Sequence, residues 1–454
     1  MKIIIEGAGD VGSHLAKMLS HEGGDITVID CDEGRIGQLS QAADVATVSG
    51  DLSSIETLKE AGVEDADLFI AVNPRVDQSV NIVSALLAKK LGTKRVTARI
   101  SDEDYLEPEN KLMFKEMGID LLFYPEKIAS EEIIDLLKHT ATTDSMDFAR
   151  GKLRLAVFRL DEDSPLIDMK VAEFTAAVSA ADAKTQFRIV AIARHEETII
   201  PKYDTRFKLN DHIYIIARRD GLEHLMKFIG KNNIEVNRVM ILGGGRIGEM
   251  VAAKLSAQVD EVKIIDKDRQ RCLELSEKLP DNVNIAFGDG RNSDFLLEES
   301  IKQYDAFVAV TGNDEANILS CVVAKKFGVE RVIAEVENIE YLRLAEDMGV
   351  DAVINKKLIT AGRIFKFTLS DKVRFVKYMS GTDAEVLEYT AAPGSLITKA
   401  TLKETDFPKD AIIGGVIRGS DSFIAVGDTR IEAYDRVAVF ALPDAVKEVD
   451  RLFK

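Results

Sequence analysis

Lys2-Ile3-Ile4-Ile5-Glu6-Gly7-Ala8-Gly9-Asp10-Val11-Gly12 opens the chain, and Arg238-Val239-Met240-Ile241-Leu242-Gly243-Gly244-Gly245-Arg246-Ile247-Gly248 repeats its pattern 236 positions later. Each stretch is an apolar run ending in Gly-x-Gly-x-x-Gly. The run reads as a buried strand, and the glycines supply a tight turn, a close backbone approach to a pyrophosphate and close helix-on-strand packing. One such motif is weak evidence, but further segments repeat in the same register. Thr27-Val28-Ile29-Asp30 returns as Lys263-Ile264-Ile265-Asp266, and Leu87-Ala88-Lys89-Lys90-Leu91-Gly92 as Val323-Ala324-Lys325-Lys326-Phe327-Gly328. Three matches at one offset identify an internal duplication.

Outward from the first loop, short Val/Ile-rich runs alternate with helical patterns. Ile3-Ile5, Ile26-Ile29, Ala46-Val48, Leu68-Val72 and Val96-Ile100 read as strands. Ser13-Leu19, Ile36-Leu39, Ile55-Ala61, Val80-Leu91 and Tyr105-Met117 carry helical periodicity. Such alternation predicts a parallel, doubly wound sheet. A strand-rich stretch follows each copy: Leu153-Phe158, Arg188-Ala193, Ile199-Pro201 and His212-Ala217, then Ala384-Leu387, Ile412-Ile417, Phe423-Val426 and Arg436-Phe440. The expected fold class is α/β, with two Rossmann-type sheets each followed by a small α+β domain. The boundaries expected are 1–125 (Rossmann), 126–147 (helical connector), 148–230 (small domain), 236–356 (Rossmann), 357–370 (helical connector) and 371–454 (small domain). Within the first connector, polar Thr140-Asp147 reads as the linker.

At 454 residues the chain is too long for one ordinary domain, and 46% hydrophobic with 30% charged residues suits a soluble protein with several cores. A formal charge of -18 opposes binding to nucleic acid or an anionic lipid surface. No apolar run reaches the roughly 18–20 residues of a membrane span, and the start shows no cleavable signal, so a cytoplasmic protein without direct membrane insertion is expected. Cys31, Cys272 and Cys321 are odd in number and widely spaced, which argues against disulfides and zinc, and no metal site is expected.

The candidate binding residues follow from the loops. Gly7, Ala8, Gly9, Asp10, Val11 and Gly12, and likewise Gly243, Gly244, Gly245, Arg246, Ile247 and Gly248, would cradle phosphates at a helix N-terminus. Asp30 and Asp266 each lie 18 residues past the third glycine, close to the ~20 at which an acid takes the ribose hydroxyls and repels a 2′-phosphate. NAD(H) or an adenine nucleotide, ADP or ATP, is therefore favoured over NADP. At later strand ends Asp51 and Asp289 would edge the adenine side, unless they are helix N-caps instead. Asn73, Pro74 and Thr311 would edge the pyrophosphate side, and Arg99 could pair with a phosphate. Glu6 and Asp10 stand where the second copy has Leu242 and Arg246, and Glu335 stands where the first has Arg99, so the two sites are expected to differ in ligand or affinity.

No hydrolase, metalloprotease, Walker or Cys/His nucleophile motif occurs, and the six histidines fall where packing or surface roles suffice. A duplicated binding unit without a duplicated acid/base group reads as a sensor, with no catalytic residues. The alternative is a soluble NAD-dependent oxidoreductase with a duplicated cofactor domain. Gly7-Ala8-Gly9-Asp10-Val11-Gly12, Val28-Ile29-Asp30, Ser49-Gly50-Asp51-Leu52 and later Ile189-Val190-Ala191-Ile192-Ala193-Arg194, Ile199-Ile200-Pro201 and Asp204-Thr205 give the chain a resemblance to the RCK (regulator of potassium conductance) family. It covers essentially the whole chain. The resemblance implies a homotetramer whose eight Rossmann units form a ring at the inner face of the cell membrane, under a membrane potassium channel subunit, with NAD(H), ADP or ATP as gating ligands. Glu6, Asn73-Pro74-Arg75 and Glu335 depart from the family pattern and bear on which nucleotide each site takes.

Overall fold

The computed structural model describes the chain apart from residues 22, 74–77, 149–150, 182–185, 196, 232, 366–372 and 379–383, and apart from the side chains of 181, 219–220, 223, 227 and 374–378. The chain forms two compact units. One comprises Met1–Ile128 with Lys356–Thr368, the other Ala129–Asn355 with Leu369–Lys454.

The first unit runs β1 (Lys2–Glu6), α1 (Asp10–His21), β2 (Asp25–Asp30), α2 (Glu33–Ala42), β3 (Ala46–Ser49), α3 (Ile55–Glu60), β4 (Leu68–Ala71), α4 (Gln78–Leu91), β5 (Arg95–Arg99), α5 (Pro108–Glu116) and β6 (Leu121–Phe123). The helix α6 (Pro125–Lys138) begins in it. The six strands are parallel in the order β3-β2-β1-β4-β5-β6. The order reverses between β1 and β4, the crevice where open α/β sheets bind ligands. Ile4 and Ile5 of β1 and all of β4 are fully buried, as strands covered by helices on both faces require. The helix expected over Tyr105-Met117 is instead a 3-10 turn at Glu103–Leu106 followed by α5. Pro108 forces Glu107 into an extended conformation (ψ 145), which divides the two.

The second unit holds β7 (Asp144–Phe148), β8 (Leu153–Arg159), α7 (Val171–Ala181), β9 (Phe187–Arg194), β10 (Glu197–Ile199), β11 (His212–Arg218) and α8 (Arg219–Ile229). A second Rossmann unit follows: β12 (Arg238–Leu242), α9 (Arg246–Leu255), β13 (Glu261–Asp266), α10 (Arg269–Lys278), β14 (Val283–Phe287), α11 (Ser293–Glu298), β15 (Ala306–Ala309), α12 (Asp314–Lys326), β16 (Arg331–Glu335), α13 (Tyr341–Asp347) and β17 (Ala352–Ile354). Its sheet order, β14-β13-β12-β15-β16-β17, is that of the first copy. After α14 (Lys356–Phe365), which belongs to the first unit, come β18 (Val373–Tyr378), β19 (Glu385–Thr390), β20 (Ala411–Arg418), β21 (Asp421–Ile424), β22 (Arg436–Ala441) and α15 (Pro443–Phe453).

The small domains are antiparallel five-stranded sheets with one topology, β10-β9-β11-β8-β7 and β21-β20-β22-β19-β18. They share a core in which Leu155, Val190, Tyr214 and Ile216 meet Val386, Ile417, Ala438 and Phe440. The Tyr214 and Phe440 rings lie 5.6 Å apart. A Cβ on Gly414 would fall 2.1 Å from Ile216 Cδ1, so the close approach of the sheets depends on that glycine. The polar run expected as a linker, Thr140-Asp147, is in part strand β7. Its polar side chains are paired: Ser145 Oγ donates to Asp135 (2.7 Å), and Arg154 forms an ion pair with Asp147 (3.3 Å).

The connector helices exchange places. α14 follows the second Rossmann unit in sequence yet packs along α1 of the first. Glu131 of α6 pairs with Lys254 of α9, at 3.3 Å within the second unit.

Candidate nucleotide sites

The two glycine loops match almost distance for distance. Gly7 (φ +107) and Gly243 (φ +108) adopt left-handed backbone, and their N–H groups donate to Ile29 O and Ile265 O, each at 2.8 Å. A Cβ on Gly12 would lie 1.8 Å from Gly7 O, and one on Gly248 2.0 Å from Gly243 O. These positions therefore exclude side chains. Gly245 has nothing within 4 Å of its missing Cβ, so the backbone there opens onto free space, the cradle that a pyrophosphate needs.

Asp30 and Asp266 end β2 and β13 and tie these loops down. Asp30 Oδ2 accepts from Ala8 N (2.6 Å) and Oδ1 from Asp32 N (2.9 Å). Asp266 repeats this with Gly244 N (2.6 Å) and Asp268 N (2.8 Å). Each carboxylate oxygen keeps a further lone pair, so anchoring the loop leaves acceptor capacity for ribose hydroxyls.

A cleft of about 430 Å³ lies over the second loop, lined by Gly243, Gly245, Asp266, Asp289, Thr311 and Ala316 among others. Lys267 and Arg291 also line it and give it a positive rim. Thr311 is held by a residue that sequence reasoning missed. Asn317 Oδ1 accepts from Thr311 N (3.0 Å) and Thr311 Oγ1 (2.6 Å), while Nδ2 donates to Thr311 O (3.0 Å) and Glu335 O (2.8 Å). Asn81, its counterpart 236 positions earlier, donates to Asn73 O (3.0 Å) and Arg99 O (3.2 Å). An asparagine recurring at that offset was the available signal.

Asp51 and Asp289 are not helix N-caps. Ser54 caps α3 and Asn292 caps α11. Asp51 accepts instead from Ser53 N and Ser53 Oγ, both at 2.8 Å, and these bonds hold its carboxyl below the usual range. Asp289 pairs with Arg291 through Nε and Nη2, which pulls its pKa down to about 2. Arg99 is engaged in an ion pair with Glu126 at 2.6 Å, both side chains largely buried. It braces β5 against the start of α6. Asn73 is buried against Gly7, and Pro74 lies outside the described residues.

The sites differ in charge. Glu6 is fully buried, hydrogen-bonded by Ser84, and its pKa is pushed up to about 8, first by burial and then by nearby Asp30 and Asp51. Leu242 holds that position in the second copy. Asp10 pairs with Lys357 of α14 at 3.6 Å, whereas Arg246 is exposed at the start of α9. The second loop is also clamped from outside, since Arg271 Nε donates to Gly244 O (2.7 Å) and its guanidinium meets Glu249 and Glu274. Arg35, the equivalent residue, pairs only loosely with Asp32 (3.5 Å) and lines an open pocket of about 340 Å³ with Ser13, Lys17 and Gln38. Among the described residues no group of His, Cys, Asp and Glu is arranged to hold a metal ion.

Two domain families match the chain in tandem: the TrkA-N domain at residues 3–125 and 239–356, and the TrkA-C domain at 155–230 and 386–454. The chain is similar to a Trk system potassium uptake protein TrkA homolog of Archaeoglobus fulgidus, 33% identical and covering 100% of both chains. It is also similar to Trk system potassium uptake protein TrkA of Halomonas elongata, 32% identical over 100% of this chain and 99% of that protein. Among solved structures it resembles the GsuK channel bound to NAD, with a TM-score of 0.61 at 17% identity, covering 100% of this chain and 78% of that one. The isolated GsuK RCK domain gives the same TM-score and covers 94% of that chain. At these identities the structural likeness speaks to the fold, and it is the RCK fold. The duplicated TrkA-N and TrkA-C domains and full-length relatives above 30% identity show that this chain belongs to the TrkA family of Trk-system potassium-uptake proteins.

Proposed function

We propose that the chain is the cytosolic, nucleotide-sensing regulatory subunit of a Trk-type potassium-uptake channel, which it gates through NAD(H), ADP or ATP held in the Rossmann clefts. The observation that carries the reading is the twofold occurrence of a glycine loop anchored by a strand-end aspartate, the second loop being open at its central glycine. Gly7, Gly9 and Gly12, and Gly243, Gly245 and Gly248, receive the phosphates at the N-termini of α1 and α9, while Asp30 and Asp266 take the ribose hydroxyls. The similar GsuK channel is described as bound to NAD, and in another structure to ADP. The residues lining the second cleft include two cations and two carboxylates, of which Arg291 and Asp289 are occupied with each other. That lining suits retention of an anionic ligand better than proton transfer to a substrate.

Ligand binding changes the channel only in so far as it favours one assembly state over another, typically by ~1–3 kcal/mol per coupled site. A homotetramer with eight Rossmann units at the cytoplasmic face of the membrane multiplies that coupling. No helix among the described residues is long and apolar enough to cross a membrane, so contact with the bilayer is assigned to the channel partner. The test is potassium flux through a Trk-type membrane subunit in proteoliposomes with this protein added. Flux is expected to change with NADH, ADP or ATP only when the protein is present. Nucleotide-independent flux, or turnover of NADH with a small substrate by the purified protein, would refute the proposal.

A further inference from the structure

α14 continues the chain from the second Rossmann unit, yet it lies against α1, the helix that the first glycine loop opens. Lys357 stands in its first turn, with Nζ 3.6 Å from Asp10 Oδ1. The Lys357 side chain is only 17% exposed, whereas that of Asp10 is 74% exposed. Most of the lysine side chain is packed against the fold, while the carboxylate it pairs with stands in water. A pair of this length and exposure is weak, worth ~0–1 kcal/mol at most, and is readily exchanged for a better anion.

One turn further along α1, His14 Nε2 is buried without a hydrogen-bond partner among the described residues. Its pKa is lowered to about 4 by burial and then by Lys357 and Lys17, so the imidazole is neutral at pH 7 and does not oppose a cation above it. Asp10 occupies the loop position at which the second copy carries Arg246. A phosphate entering the first cleft thus meets a carboxylate where its counterpart meets a guanidinium, and the compensating charge closest to Asp10 comes from another part of the chain.

We infer that Lys357 is the phosphate-sensing residue of the first cleft: when the glycine loop holds a nucleotide, the ammonium leaves Asp10 for the phosphate and draws α14 with it. This rests on the nucleotide reading proposed above and adds a response of α14 to occupancy of the first cleft. In sequence, α14 precedes β18, the first strand of the second small domain. The second cleft, with Arg246 in its own loop, has no need of such a residue.

The test is calorimetric titration of the full-length chain carrying Asp266→Ala, so that the first cleft dominates, with ADP and adenosine as probes. Lys357→Ala is expected to weaken ADP about tenfold, the scale of one exposed charge-assisted contact, and to leave adenosine unchanged. Lys357→Arg should retain most of the affinity. Asp10→Asn should tighten ADP, with a smaller gain in the Lys357→Ala background, because a freed ammonium contributes to the first gain only. Hydrogen exchange over residues 356–365 should respond to ADP in the parent and not in Lys357→Ala. Should Lys357→Ala not fold, Lys357→Gln carries the same expectations. Equal ADP affinity with and without the ammonium, or an equal loss for adenosine, overturns the inference and leaves the nucleotide reading standing. A parent that binds neither probe while the unmutated chain binds ADP removes the first cleft as a nucleotide site, and the inference falls with it. Failure of the unmutated chain to bind ADP or NADH is instead failure of the proposed function.

Discussion

Asp30 and Asp266 are asked to do two things, and the geometry separates them. Each accepts two backbone N–H bonds that fix the loop, and in the proposed function each also accepts ribose hydroxyls. Asp266→Ala is therefore expected to lower NADH affinity at the second cleft by about 100-fold, since it loses charge-assisted acceptors and loosens Gly244 together. The NAD-over-NADP preference should narrow in the same variant. Calorimetry of Asp30→Ala and Asp266→Ala proteins also tests whether the sites differ, because identical preferences for NADH, ADP and ATP in both variants would refute their inequivalence. Glu6 makes a second residue-level prediction. Its ordinary pKa is 4.5, and in the folded chain it keeps its proton to about 8. Between those values the unfolded chain has lost the proton and the folded chain has not. Stability thus falls as pH rises through that window, and the loss is complete above about 8. Replacement by the residue of the second copy, Glu6→Leu, is expected to stabilise the protein by about 2–4 kcal/mol at pH 8.5 and by clearly less at pH 5.5. Thermal melts showing an equal shift at both pH values would contradict it.

At the level of elements, the asparagine on α12 acts as a latch. Asn317 joins the end of β15 to the end of β16 through bonds to Thr311 and Glu335, and its removal takes a partner from Thr311 N, Thr311 O and the buried Glu335 O. Asn317→Ala should cost about 2–3 kcal/mol in urea unfolding and should loosen Thr311, a wall of the second cleft. A loss below about 1 kcal/mol would show that water replaces the latch. Asn317 was not legible as a functional residue, because a polar side chain on an amphipathic helix reads as solvated. The first five strands of the first parallel sheet were legible, since Val/Ile runs and strand-end glycines carry their own signal, whereas the three-residue edge strand β6 was too short to announce itself. β7 was not legible either. Its residues Asp144, Ser145 and Asp147 have loop-like composition, and the strand is held by its antiparallel ladder with β8 and by the bonds of Ser145 to Asp135 and of Asp147 to Arg154. For the same reason Arg99 looked available to a phosphate. Its partner Glu126 lies 27 residues away, and no local pattern announces the pair.

The whole molecule repeats a fold and then uses the two copies to complete one another. α14 covers α1, and the sheets of the two small domains bury a common core. The faces are complementary but not identical. Val190 of β9 packs beside Gly414 of β20, its counterpart in the repeat, where a Cβ would come within 3.1 Å of Val190 Cγ1 and still closer to Ile216. A large residue on one copy and none on the other is the interdigitation that a duplicated gene can reach and an identical pair cannot. A chain cut to residues 1–235 should therefore dimerise, with α6 of a second copy standing in for α14 and the small sheets packing on themselves. The dimer should be weak, because Val190 would then meet Val190 where the intact chain offers glycine, and overpacking of this kind costs ~1–3 kcal/mol. Val190→Ala in the half-chain is expected to tighten the dimer by up to tenfold in sedimentation equilibrium, although the same substitution in the intact chain only removes packing and should lower its melting temperature. A half-chain that stays monomeric at high concentration, or a dimer that weakens with Val190→Ala, would show that the two faces are matched by something other than side-chain volume.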